Sequence, residues 1–207
     1  MKFILLALGF VAFTPVAGAQ NSAASQEEAV AYLCSSQGMF DFLLGDWRFT
    51  GTRKTRDGTT RSIHGLWSAT KSADGPLVTD EFRILDDSGK TTYVSTTWRA
   101  IQPMQKRWAI IGIEPYNGVA QIGTAWQEGG MIRIDQEFST GGGNALWRIR
   151  YYDIRADTFL WRADRSLDTG RTWMDEYMTM RAARIGQPGK PVTLTAPDKP
   201  LENPYCK

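Results

Sequence analysis

The chain has 207 residues, with 24 Lys and Arg against 22 Asp and Glu and a formal net charge of +2. That balance gives no electrostatic case for nucleic acid or an anionic membrane surface as a partner. Beyond the N-terminus no stretch approaches the roughly 20 apolar residues of a membrane helix, so no integral membrane segment is expected after processing.

Residues 1–19, "MKFILLALGFVAFTPVAGA", read as a secretory signal peptide: one lysine, an apolar run, and small residues at Ala17-Gly18-Ala19. The apolar run is broken by Gly9 and Pro15 and is short for a bilayer span. The mature chain then starts at Gln20 and is expected in the periplasm or secreted. Residues 20–45 hold the one helical stretch and its lead-in. Ser25 with Glu28 suggests a capping box, and Ala29, Val30 and Leu33 supply a short apolar face. "MFDFLLGDW" leads from this helix into the first strand.

Residues 46–186 change character. About ten segments rich in Thr, Val, Ile, Trp and Tyr follow one another, from "WRFTGTRK" to "WMDEYMTMRA". Between them lies turn chemistry: "RDGT", "DDSGK", "PYNG", "QEGG", "STGGGN", "RADT" and "DTGR". "MIRIDQEF" sets Ile132, Ile134 and Phe138 on one face against Arg133, Asp135 and Glu137 on the other. Consecutive hairpins of this kind leave two sheet edges, which closure removes. The fold expected is all-β, an up-and-down antiparallel β-barrel of about ten strands with a short N-terminal helix; a sandwich is the other arrangement. Residues 187–207 form a proline-rich tail. Two cysteines, Cys34 and Cys206, suit a disulfide in an oxidising compartment. Chain entropy allows about 4–5 kcal/mol for so long a loop.

In order and spacing, several motifs resemble the DUF1579-like branch of the lipocalin-like (calycin) proteins. They are "FDFLLGDW", Glu81 in "VTDEF", Trp108 in "KRWAI", Arg148 in "WRIRYYDI", and "FLWRADRSLDTGRTW". Gly45-x-Trp47 is similar to the lipocalin G-x-W, whose tryptophan plugs the barrel base. The resemblance covers most of residues 40–184 and implies a barrel around a cavity for a small, often hydrophobic molecule; it implies no reaction. Nitrobindin, a ten-stranded relative, holds haem through a histidine near its C-terminus. Here the sole histidine is His64, in the second segment, so no cofactor is expected.

Eight tryptophans offer flat apolar faces for an aromatic ligand. Trp98, Trp108, Trp126 and Trp161 are the candidate wall residues, with Glu81 and Arg148 as an inward pair or ligand anchor. An inward Glu81 carries Thr79 and Arg83 with it and turns Val78, Phe82 and Ile84 outward, where the helix, the tail or the interface of a homodimer must cover them. If the barrel is catalytic, Glu81, His64 and Glu114 are the acid/base candidates. A metal site is not expected, given one histidine and no clustered carboxylates. "SLDTGRTW", Ser166–Trp173, fits an Asp box, the motif that recurs on sialidase propellers, but a single copy in a short chain is a hairpin feature. Asp168 is expected to accept backbone N–H bonds across the turn, Gly170 to take a positive φ, and Trp173 to fold over the hairpin.

Three readings of function follow. They are an exported binding protein for a small hydrophobic or aromatic molecule, an isomerase, hydratase or lyase in the same barrel, and an envelope interaction protein whose barrel is filled. A hollow interior without an isolated inward carboxylate separates the first from the others. N-terminal sequencing of the protein exported by its own host is expected to begin at Gln20; an intact Met1 would overturn the export reading.

Overall fold

The computed structural model describes residues 23–55, 57–140 and 143–186. The residues of the expected signal peptide and proline-rich tail lie outside the described ones, as does Cys206, the expected partner of Cys34, which is exposed on the helix. Helix α1 spans Ala23–Ser36 and is followed by a 3₁₀ turn at Asp41–Leu43. Then come β1 (Gly45–Lys54), β2 (Thr60–Lys71), β3 (Leu77–Leu85), β4 (Thr91–Gln102) and β5 (Arg107–Glu114). β6 (Val119–Glu128), β7 (Met131–Thr140), β8 (Gly143–Tyr152), β9 (Thr158–Ser166) and β10 (Met174–Ile185) follow. Every neighbouring pair is antiparallel, and β10 returns to pair with β1, closing a ten-stranded barrel. The expected fold is the one found.

Alternation along the strands decides which residues face inward. On β7 the inward row is Ile132, Ile134, Gln136 and Phe138, as the pattern requires. On β3 the apolar frame wins: Val78, Asp80, Phe82 and Ile84 face in, while Glu81 lies outside and pairs with Arg83. This corrects the inward Glu81, and no cover is needed for Val78, Phe82 and Ile84. At inward positions such as Gly51 and Gly65 the strands approach too closely for a side chain. A Cβ on Gly51 or Gly65 would collide with the carbonyl of Thr179 or Arg83, so glycine is required there.

The base is plugged by aromatic rings. Phe40, Leu43, Trp47, Trp108 and Phe159 are completely buried, and Phe40 meets Trp108 edge-on with centroids 5.2 Å apart. Each such side chain contributes roughly 1.5–3 kcal/mol by leaving water. Trp47 donates its Nε1–H to the Leu43 carbonyl at 2.7 Å. Arg184, from the end of β10, stacks on the Trp47 ring at 4.0 Å and donates to the carbonyls of Phe42 at 2.9 Å, Ala156 at 2.8 Å and Leu44. Gly45, at φ 115°, starts β1 directly against this guanidinium.

The helix differs from its expected form. Ser25 is the third residue of α1, so it is no N-cap, and Glu28 pairs with Lys106 at 2.6 Å. Ala29 is buried, but Val30 is exposed, because α1 packs mainly on the turn Pro103–Gln105 with one narrow face. On the outer wall Trp98, Ile111 and Ile122 stand in direct register across β4, β5 and β6, with 39%, 52% and 64% exposure.

β10 is irregular. Between the pairs Met174–Arg165 and Met178–Ala163 it holds two more residues than β9, and Glu176 takes φ 47°. Asp164 accepts the Glu176 N–H at 3.0 Å and pairs with Arg150 at 2.7 Å, fixing this bulge.

The β9–β10 hairpin carries the Asp box. Asp168 accepts the Thr172 N–H at 2.9 Å and its hydroxyl at 2.7 Å, and Ser166 donates to it at 2.8 Å. Gly170 has φ 89°, and Trp173 donates to the Gly170 carbonyl at 3.0 Å. These bonds, led by the Thr172 N–H, lower the Asp168 carboxyl to about 2. Because the folded value lies below the unfolded one of about 4, the contribution is complete above pH 4 and disappears as pH falls toward 2. Asp168→Ala is expected to lower the melting temperature by a few degrees at pH 7 and by much less at pH 2, measured by thermal denaturation.

Candidate functional site: the barrel cavity

Above the aromatic base the barrel is hollow. The cavity measures about 260 Å³, room for one or two fused rings. Its floor is polar. Asp80 of β3 and Arg99 of β4, 1% and 3% exposed, pair through Oδ2 and Nη1. Asp80 also accepts the Trp67 Nε1–H at 2.7 Å, and Arg99 lies 5.2 Å over the Phe40 ring and 3.4 Å from the Tyr151 hydroxyl. Burial pulls the Arg99 guanidinium below its ordinary value and pushes the Tyr151 phenol up.

The walls carry Phe82, Phe138, Trp147 and Trp161, interspersed with Ser95, Thr97, Gln121 and Gln136. Phe138 and Trp147 stack with centroids 4.7 Å apart, and Tyr177 meets Trp147 edge-on at 5.1 Å. The strand ends opposite the base add Arg53, Glu114 and Arg165. Glu114 accepts the Tyr93 hydroxyl at 2.8 Å and the Asn117 amide at 3.2 Å, while Gln121 donates to Tyr93 at 3.3 Å. Burial, followed by the Glu114 charge, raises the Tyr93 phenol far above its ordinary range, so it is a neutral donor. Arg165 stacks over Tyr177 at 4.9 Å and Trp147 at 5.9 Å and donates to the Tyr177 hydroxyl at 3.2 Å.

The residues expected at the site divide. Trp161 and Glu114 line the cavity. Trp108 is buried in the base instead, against Phe40. Trp98 and Trp126 lie outside; Trp126 is covered by Arg107 at 4.9 Å and Arg133 at 5.8 Å. Arg148 also lies outside, 3.7 Å over the Trp173 ring, and cannot meet Glu81, which is on the outer face of a distant strand. His64 sits on the outer face between the inward Ile63 and Gly65, so it cannot ligate a group in the interior. No group of three metal-ligating side chains occurs among the described residues. Sequence reading missed Asp80, Arg99, Tyr93, Arg165 and Tyr177. For Asp80 a signal existed in the frame it shares with Val78, Phe82 and Ile84.

No protein-family model matches the chain, and no curated protein does. Among solved structures, that of Rv2717c from M. tuberculosis superposes with a TM-score of 0.56 at 14% identity, covering 73% of this chain and 98% of that one. The likeness shows the fold.

The floor pair is expected to be structural. Arg99→Met strands the Asp80 carboxylate in the interior and should destabilise the protein by about 3–5 kcal/mol, most of it recovered in Asp80→Leu/Arg99→Met. Chemical denaturation measures both, and a near-neutral Arg99→Met would contradict the assignment.

Proposed function

We propose that the chain is an exported, lipocalin-like protein of the DUF1579-like branch that binds a small aromatic molecule in the barrel. The observation that carries this is the hollow interior of about 260 Å³ behind a plugged base. An apolar-walled space with a few convergent polar groups is the usual form of a small-molecule site. Its flat walls, Phe82, Phe138, Trp147 and Trp161, suit ring stacking better than an extended alkyl chain.

Two further features support binding over acid/base chemistry. Both carboxylates that line the cavity are already engaged, Asp80 by Arg99 and Trp67, Glu114 by Tyr93 and Asn117. Tyr93 keeps its proton, which removes it as a base at neutral pH. A filled barrel, the third reading, is not the one seen.

Calorimetric titration with 2-naphthol is expected to give a one-to-one complex. Ala145→Trp, which fills the cavity from a buried wall position, should weaken it roughly tenfold or more. Trp126→Ala, on the outer wall, should leave it unchanged, and an equal loss in both variants would argue against a site inside the barrel.

A further inference from the structure

We infer that the molecule bound in the barrel is an organic anion, a flat aromatic body bearing a carboxylate or similar group that Arg165 receives. The inference rests on the binding reading above and narrows it to a ligand class.

The first observation is charge. Three arginines and two carboxylates line the cavity: Arg53, Arg99 and Arg165 against Asp80 and Glu114. Asp80 neutralises Arg99 at the floor. Arg53 and Arg165 have no carboxylate partner among the described residues, and Glu114 is shared between Tyr93 and Asn117. The half of the cavity away from the base is therefore positive on balance, inside low-dielectric walls that strengthen an ion pair.

The second observation is unmet hydrogen-bonding capacity. Trp147 of β8 and Arg165 of β9 are direct register partners, and both line the cavity. The Trp147 Nε1–H and the Arg165 Nε–H are buried donors with no acceptor among the described residues. Buried donors are rarely left unpaired, and these two belong to adjacent side chains of the cavity wall. A carboxylate supplies two oxygens, each able to accept more than one bond, whereas a cation supplies none.

The third observation is preorganisation. The guanidinium lies over Tyr177 at 4.9 Å and Trp147 at 5.9 Å, two rings that meet edge-on, and the Tyr177 hydroxyl takes one Nη1–H at 3.2 Å. Held by these contacts, the guanidinium has few alternative placements, and its remaining N–H groups form the planar fork that matches a carboxylate. The Phe138–Trp147 stack beside it gives the apolar body a wall at the right place.

The test is a matched pair of probes, 2-naphthoate and 2-naphthamide, titrated calorimetrically into the full-length mature protein at pH 7 and low salt. The expected result is naphthoate at least tenfold tighter than naphthamide, with the preference abolished in Arg165→Gln and kept in Arg107→Gln, whose arginine lies on the outer wall over Trp126. Equal affinity for the two probes would overturn the anion inference and leave the binding reading standing. Binding of neither would remove both. A preference that survives Arg165→Gln would overturn the assignment to Arg165. Should that variant fail to fold, the wild-type comparison alone still decides whether charge is read, and added salt should weaken naphthoate but not naphthamide.

Discussion

The pairing of β1 with β10 is the constraint on which the rest depends. Without it the sheet has two open edges and no interior, and every inward side chain becomes one face of a curved ribbon. Arg184 secures that seam at the base. It belongs to the last strand, yet it satisfies the carbonyls of Phe42 and Leu44 that precede the first, and it lies on the ring of Trp47. A buried guanidinium is costly unless its donors are matched, and here the Ala156 carbonyl takes a further one. The same contact therefore ties the first and last strands together at the base and orients the plug.

The division of the barrel into plugged base and hollow explains why some of the fold was legible in the sequence and the site was less so. Turn residues and alternation marked the strands closely: "LVTDEFRIL" and "TFLWRADRS" coincide with β3 and β9 from end to end. β7 showed its inward face because that face is apolar. β4 did not. Its inward row is Tyr93, Ser95, Thr97 and Arg99, more polar than the outward row that holds Val94 and Trp98. A rule that sends apolar residues inward fails on such a strand, and it fails because the strand faces a cavity with polar groups and not a packed core. Trp98 and Trp126 misled for the same reason: an exposed tryptophan and a lining one look alike until register is known.

Asp80 and Arg99 show how a polar floor can be kept in an aromatic barrel. Such a pair is weak evidence of added stability, since two charges leave water to form it. Its effect here is positional. With the indole of Trp67 on one side and the hydroxyl of Tyr151 on the other, the pair has few alternative arrangements. It separates the aromatic plug from the hollow above and gives the cavity a fixed depth.

The bulge in β10 has a consequence of its own. In a regular strand, side chains point to alternate faces, so two neighbours in sequence cannot both look into the barrel. The two extra residues and the left-handed Glu176 break that alternation. Tyr177 and Met178, adjacent in the chain, both reach the interior, and the phenol arrives beneath Arg165. The chain has thus lengthened one strand without lengthening its partner, and spent the surplus on seating one ring. Asp164, outside the wall, is the latch that holds this step in the strand open. A side chain that never touches the cavity thereby governs what stands beside its guanidinium.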